Sequence, residues 1–416
     1  MDTTITLAGR RVLVVGINYA PEHTGIAPYT TQASDHVAGE GAEVLALAGV
    51  PHYPHWTVPA AYRRSLRVQE QHRQVTVRRL RHTVPPRQSA RSRATYEATF
   101  GANVLAQRLP WKPDVVLAVV PSLLGAAAAA VHARRAGAPL VLWVQDLMGP
   151  AAAQSGIAGG GRVAKLAGAL EGRVIRAARE VIVVSGAFRL YVNAAGIYVE
   201  DIHVVPNWTH VEPATQDRAA VRRRMGWGED EIVALHSGNM GLKQGLDNLI
   251  AAARLAAAPV RIVLMGDGSQ REALEQHGAG VERLSILPPA DGPDFPDVLA
   301  AADVLLVNER ASAVDMSLPS KLTSYFSAGL PVLAAVPPRG GTASEVLRSG
   351  GGRLVAPEDP AALVQALVAL GADPQERARL GERGAEHAAR HLNQAASLGR
   401  VVEVLQRAIE RGPRRG

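Results

Sequence analysis

Two lysines are the natural place to look for chemistry. The chain of 416 residues has 45 Lys plus Arg, yet only four are lysines: Lys112, Lys165, Lys243 and Lys321. Basic positions are written as Arg wherever a cation suffices, so a surviving Lys marks a place that calls for a compact ammonium. Lys243 lies near the end of residues 232–245, Ile-Val-Ala-Leu-His-Ser-Gly-Asn-Met-Gly-Leu-Lys-Gln-Gly. This stretch opens as a short apolar run suited to a buried parallel strand. It breaks into a loop at Ser237-Gly238-Asn239-Met240-Gly241 and resumes as a helix from Gly245. Strand, glycine-rich loop and helix together point free N–H groups and a positive helix end at an anion, most often a phosphate. An ordinary turn with a solvated lysine fits the same residues. Lys321 follows Pro319-Ser320, where the serine hydroxyl can cap a helix. A cation in that first turn opposes the helix dipole unless an anion is also present.

Other polar groups stand at the ends of apolar runs. Gly266-Asp267-Gly268-Ser269 follows one of them and resembles a truncated dinucleotide fingerprint, with Arg271 where a third glycine would stand. Thr24-Gly25 precedes a helix in the first βα loop, which also carries Glu22 and His23. Asp146 ends a strand after Gln145, and Asn207 follows Pro206. Asp146 capping a turn, Asn207 as a turn residue and Glu22 on a loop surface are the plain alternatives.

Composition narrows the chemistry. With no cysteine, disulfides and thiolate metal sites are excluded. The 13 histidines form no H-E-x-x-H, and there is no D-x-D for a divalent ion, so no metal is expected. Net charge is +7, and ten arginines fall between residues 63 and 93 with Glu70 the sole acid among them. Such an excess suits a phosphorylated substrate, an anionic membrane surface or a solvated face. Aromatic residues are 4% of the chain and no stacking array accompanies the arginines, so nucleic acid is not expected as a partner. The first ten residues lack a charged start followed by an apolar core, so no signal peptide is expected. Residues 115–131 are apolar but interrupted by Pro121-Ser122 and Gly125, which reads as strand, loop and helix rather than a membrane span. The expected location is the cytoplasm, with the inner membrane face within reach of the arginines.

The elements that must position these residues alternate. Strands are expected at 11–16, 43–48, 115–120, 139–144, 180–184 and 202–205, with helices between them, including one over 89–109. Residues 212–230 read as a polar linker. Further strands are expected at 232–236, 260–265, 284–287, 304–307, 331–335 and after Gly350, and helices at 360–370 and 375–411. This is an α/β chain of two Rossmann-like, doubly wound domains facing across a cleft. Residues 1–210 form the first, 211–390 the second, and 391–416 a C-terminal helix and tail that packs back on the first.

Several stretches, taken in order, resemble a known family. They are Gly16-Ile-Asn-Tyr-Ala-Pro-Glu-His-Thr-Gly-Ile, Pro51-His-Tyr-Pro-His-Trp, Trp111-Lys-Pro-Asp, Val205-Pro-Asn-Trp, Ser237-Gly-Asn-Met-Gly-Leu-Lys-Gln-Gly and Leu318-Pro-Ser-Lys-Leu, with Ala328-Gly-Leu-Pro-Val downstream. Together they resemble retaining GT-B glycosyltransferases of family 4, in the colanic-acid and N-acetylfucosamine transferase branch. The resemblance implies sugar transfer from a nucleotide diphosphate sugar, of UDP or GDP type, with the anomeric configuration kept and no metal or cofactor. The donor would sit on the second domain, and a lipid-linked or small-molecule glycan acceptor on the first. Lys243 and Lys321 would neutralise the leaving diphosphate, aided by backbone near Gly238, Asn239 and Ser320. Gly266, Asp267 and Gly268 would lie near the nucleoside. Asp146 would orient the sugar or acceptor hydroxyl, and Glu22, Thr24, Gly25 and Asn207 would meet the acceptor.

The chemistry agrees with that division. A departing diphosphate gains negative charge while the sugar carbon becomes oxocarbenium-like, and fixed cations at the leaving oxygen stabilise that state. The chain also departs from the pattern. Many relatives carry two glutamates eight positions apart, where Met316 and Ser324 stand here, and Asp315 is the nearest carboxylate. Asn239 replaces a frequent Arg, and Gln145-Asp146 stands where many relatives have His. Three other functions fit the same residues: a natural-product glycosyltransferase with a soluble acceptor, a sugar-nucleotide epimerase of the same plan, and a non-catalytic nucleotide-sugar-binding subunit.

Overall fold

The computed structural model describes residues 6–23, 25–53, 56–85, 90–147, 160–209, 211–290, 294–312 and 321–414. The chain divides into two compact units, residues 1–207 with 395–416, and residues 208–394.

The first unit is built on an eight-stranded sheet. Its elements are β1 (Arg11–Gly16), α1 (Ala27–Gly39), β2 (Glu43–Gly49), β3 (Arg67–His72), β4 (Val75–Leu80), α2 (Ala90–Leu105), β5 (Val115–Val120), α3 (Leu123–Ala136), β6 (Leu140–Val144), α4 (Gly160–Ala177), β7 (Glu180–Val183), α5 (Gly186–Ala194) and β8 (Ile202–Val204). The strand order is β3-β4-β2-β1-β5-β6-β7-β8, parallel throughout except for β3 against β4. β5 and β6 are buried at every position, as expected of strands covered on both faces. Ser122 caps α3 by accepting the Gly125 N–H at 3.2 Å, and Gly137 ends the helix at φ +70°. The hairpin β3–β4 is absent from the sequence reading. Its arginines mask the alternation, because Arg79 is buried and its guanidinium is taken up by Glu70 and the Ala20 carbonyl.

The second unit comprises α6 (Arg218–Met225), β9 (Ile232–Asn239), α7 (Asp247–Leu255), β10 (Val260–Asp267), α8 (Arg271–Gly278), β11 (Leu284–Leu287), α9 (Phe295–Ala301), β12 (Val304–Asn308), α10 (Lys321–Ser327), β13 (Val332–Ala335), α11 (Gly341–Ser349), β14 (Gly352–Val355), α12 (Pro360–Ala372) and α13 (Pro374–His391). Its six strands run in the order β11-β10-β9-β12-β13-β14, and every pairing is parallel. The period of two puts Val233, Leu235, Val263, Leu305 and Val307 in one core, with Leu322, Tyr325 and Phe326 of α10. Ala234, Ile262, Leu264, Val304 and Leu306 enter the opposite core with Leu249 and Ile250 of α7. These two covered faces make the fold class a pair of α/β domains with predominantly parallel sheets.

Two expectations give way here. The linker at 212–230 contains α6, started by Asp217, whose carboxylate accepts the Ala220 N–H at 2.9 Å. Arg222 in that helix is buried: its Nη1 reaches Asp303 Oδ2 at 3.0 Å, and its Nη2 reaches the Gly228 and Glu231 carbonyls at 2.6 and 2.7 Å. The helix expected over 375–411 is two helices, α13 and α14 (Gln394–Arg411). Leu392 is buried in the core of the second unit, whereas residues from Ala395 onward belong to the first.

Candidate active site

The donor-side residues gather at the carboxyl ends of β9 and β10. The strand β9 extends through Ser237-Gly238-Asn239, residues expected in a loop, because each pairs with β10: Gly238 stands opposite Gly266 and Asn239 opposite Asp267. The two backbones approach so closely that a Cβ on Gly266 would fall 1.8 Å from the Gly238 carbonyl oxygen. Gly238 itself has φ +117°. Gly268 packs on the Met240 carbonyl, and the Asp267 carboxylate accepts the Gly268 N–H at 2.7 Å. The Asn239 amide folds back on its own loop. Its Nδ2 and Oδ1 lie 2.9 and 2.7 Å from where Cβ atoms of Gly241 and Gly268 would stand.

Lys321, the first residue of α10, reaches this strand end. Its Nζ lies 3.7 Å from where a Gly238 Cβ would stand and 3.1 Å from His236 Nε2. Burial of the ammonium pushes its pKa down to about 7, against the opposing pull of Glu309. Glu309 is buried after the end of β12 and accepts a hydrogen bond from Thr342 at 2.9 Å. His236 is fully buried, and burial followed by the Lys321 charge holds its pKa well below the usual imidazole range, despite the Leu306 and Asn239 carbonyls. Tyr325 braces the same strand end, its hydroxyl accepting the Ser237 N–H at 2.8 Å. Burial raises that phenol to about 12.

Lys243 sits exposed in a single 3₁₀ turn, Leu242–Gln244, between β9 and α7. Buried Asn308 at the end of β12 fixes that turn, donating to the Gln244 and Gly245 carbonyls at 2.7 and 3.0 Å. The Arg310 N–H donates to the Lys243 carbonyl at 3.1 Å. His236, Glu309, Asn308 and Tyr325 were missed by the sequence reading. His236 alone had a usable signal: it is two residues before Gly238 on one strand, so both share a face. Ser324, standing where relatives carry a glutamate, is buried in α10. Thr24, Asp315 and Ser320 lie outside the described residues.

In the first unit, Glu22 is buried and fully engaged. Its Oε1 accepts the His52 and Tyr53 N–H groups, each at 2.8 Å, and its Oε2 accepts from Asn18 Nδ2 at 2.9 Å. It therefore ties the β1 loop to the loop after β2. Gly25, at φ +66°, faces Tyr53 of that second loop. Asp146, beyond β6, accepts the Leu147 N–H at 2.9 Å. Beside it, Asn207 Nδ2 donates to buried Gln145 Oε1 at 2.8 Å. That pairing leaves Gln145 Nε2 and Asn207 Oδ1 without hydrogen-bond partners, one donor and one acceptor side by side. Chemically the two units offer different things. The second presents ammonium charge against exposed strand-end backbone, suited to a diphosphate, and the first presents neutral and acidic groups suited to hydroxyls.

Comparison with known proteins matches the two units to two separate family domains. The Glycosyl transferase 4-like domain matches residues 24–208, and the Glycosyl transferases group 1 domain matches residues 231–373. A putative colanic acid biosynthesis glycosyl transferase, WcaI of Escherichia coli K12, is 33% identical over 333 residues, covering 77% of this chain and 81% of that protein. Among solved structures, the sucrose-phosphate synthase of Thermosynechococcus elongatus superposes with a TM-score of 0.75 at 17% identity, covering 97% and 100% of the two chains. Anabaena HepE in complex with UDP-glucose superposes with a TM-score of 0.69 at 20% identity, covering 96% and 100%.

Proposed function

The chain belongs to the GT-B glycosyltransferases that join a glycosyl transferase 4-like domain to a group 1 domain, and from that premise we propose a retaining, metal-independent transfer. The donor is a nucleoside diphosphate sugar with UDP or GDP as the nucleotide. The acceptor is a hydroxyl of a cell-surface glycan precursor, carried on a lipid or on a small glycan. No further cofactor takes part.

The observation that carries this reading is Lys321, its ammonium held beside the open backbone of Gly238 and its pKa lowered to about 7. A buried cation beside exposed backbone favours the arrival of an anion. A diphosphate placed there restores the lysine's charge, and that charge in turn stabilises the departing diphosphate as the glycosidic bond breaks. Lys243 on its braced turn supplies the second cation, so two ammonium groups fill the role a divalent ion has in other transferases. Backbone at Gly238, Asn239 and Ser320 completes the phosphate contacts, and Gly266, Asp267 and Gly268 meet the nucleoside. With retention, the acceptor hydroxyl attacks the face the diphosphate leaves and passes its proton to the departing phosphate oxygen. No protein base is then required. Asp146, Asn207 and the loops held by Glu22, which carry Thr24 and Gly25, orient the acceptor.

No helix among the described residues is long and apolar enough to cross a membrane. Contact with an anionic membrane would run through Arg63, Arg64 and Arg67 around Leu66, which is 77% exposed. Co-sedimentation with phosphatidylglycerol vesicles, lost when these arginines are replaced by Ser, tests that contact. The transfer itself is tested by incubating the protein with UDP- and GDP-sugars in EDTA, with and without cell-envelope lipid extract. The expected result is nucleotide release and a product of unchanged anomeric configuration by NMR. Tight nucleotide binding without turnover under all of these conditions would remove the catalytic reading.

A further inference from the structure

The proposed donor site contains a side chain whose role the transfer chemistry alone does not assign. His236 is fully buried in β9, three residues before its end, yet both of its ring nitrogens face polar atoms. Its Nδ1 lies 3.2 Å from the Leu306 carbonyl, and its Nε2 lies 3.1 Å from Lys321 Nζ. A carbonyl can only accept, so the Leu306 contact favours the proton on Nδ1, with the Asn239 carbonyl as the competing acceptor. A neutral imidazole protonated at Nδ1 leaves Nε2 as a bare acceptor. Among the described residues, the charged and titratable groups around the Lys321 ammonium are His236 on β9 and Glu309 beyond β12.

We propose that His236 is a positioning residue whose neutral Nε2 holds the Lys321 ammonium against the Gly238 backbone, aimed at the diphosphate of the donor. This rests on the donor-site reading above. The choice of imidazole follows from charge. A carboxylate hydrogen-bonded to Nζ would neutralise the ammonium and repel the incoming diphosphate. An imidazole orients the same ammonium and leaves its charge for the ligand. The Leu306 carbonyl of the neighbouring strand fixes the tautomer, as outer hydrogen bonds fix histidines at other charged centres. Glu309, whose carboxylate accepts from Thr342, supports the ammonium through its charge.

The test uses UDP and GDP as probes, with the affinity of the full chain measured from pH 6 to pH 9. Lys321→Met addresses the donor site itself and is expected to weaken binding by about tenfold or more. Unchanged affinity in Lys321→Met would remove the donor-site reading and leave nothing for His236 to position. Given that loss, His236→Leu is expected to weaken binding at pH 8 by about tenfold. It should also start the fall in affinity at a lower pH, because the ammonium has lost an acceptor. His236→Gln, which keeps an acceptor oxygen near the Nε2 position, should recover binding to within about threefold. A purely structural histidine would lower stability in both variants and leave the pH profile where it was. That result, with Lys321→Met impaired, overturns the positioning role alone. Should His236→Leu not fold, the wild-type protein decides by ¹⁵N NMR of the ring. An Nδ1–H tautomer supports the assignment. An Nε2–H tautomer, its proton turned toward the Asn239 carbonyl, overturns it.

Discussion

Lys321 has two opposing effects, because burial lowers its pKa to about 7 while the proposed chemistry needs the charged form. Between that value and the ordinary lysine pKa of 10.5, the unfolded chain binds a proton that the folded, ligand-free chain does not. Stability therefore rises with pH across the window from about 7 to 10.5, and below it the lysine is charged in both states at full cost to the fold. Lys321→Met should be the more stable protein at pH 7, and its stability should change less between pH 7 and pH 9. Urea unfolding at the two pH values measures this, and a rise as steep as in wild type would refute it. Activity should move the other way: Lys321→Ala and Lys243→Ala should each lower transfer about 100-fold or more in steady-state assays. Near-wild-type rates in both would remove the site assignment. Glu22 presents a different case. Its oxygens already serve Asn18, His52 and Tyr53, so an effect of Glu22→Gln on the acceptor would pass through the loops it holds. The amide nitrogen of Gln cannot accept from Asn18 Nδ2, so Glu22→Gln should cost about 1–3 kcal/mol in denaturant unfolding.

At the scale of elements, the site depends on how closely β9 and β10 approach. The glycines at 238 and 266 were legible as ligand-approach positions, but they serve first as a cross-strand pair. A Gly266→Ala methyl would meet the Gly238 carbonyl at 1.8 Å, with backbone on both sides and no flexible side chain to yield. The expected cost is about 3 kcal/mol, with loss of nucleotide binding in the same variant. Wild-type stability and binding would show that the strand ends part more easily than this packing implies. Most strands could be read from the sequence because apolar runs such as 115–120 and 232–235 have one physical use, burial on both faces. The elements that were missed break that rule. β3–β4 and α6 place arginines inside the protein by giving each guanidinium several acceptors, and composition alone shows only an excess of base. The lysines could be read because they were rare. Glu309 could not, because a lone glutamate acquires meaning only when strand register brings it to Lys321, and His236 offered only the face it shares with Gly238.

For the whole molecule, the chain leaves the first unit at Asn207 and returns at Ala395. The return explains why a single helical pattern over 375–411 is two helices. α14 lays Leu398, Val401, Val402, Leu405 and Ala408 into the first unit, although α13, three residues upstream, belongs to the second. A polar lock accompanies this packing. Glu180 at the start of β7 is fully buried and holds His203 at 2.8 Å, Arg411 at 2.6 Å and Arg407 at 3.3 Å. Burial alone would raise its pKa, but the hydrogen bonds from His203 and Arg411 outweigh burial and bring it below the usual carboxylate value. A depressed folded pKa means that the lock contributes fully above the unfolded value of 4.5 and is lost as pH falls through the folded value. Glu180→Gln keeps the shape but removes the charge that both arginines converge on. It should cost about 3 kcal/mol near neutral pH, less than a fully enclosed pair because the arginines remain partly exposed. The gap from wild type should narrow below pH 4.5. Because the lock lies within one unit, hydrogen exchange in the variant should quicken across 394–411 and β7 and stay unchanged in 374–391. Equal quickening in both helices would mean that α13 and α14 unfold as one element and that the return to the first unit is not an independent step.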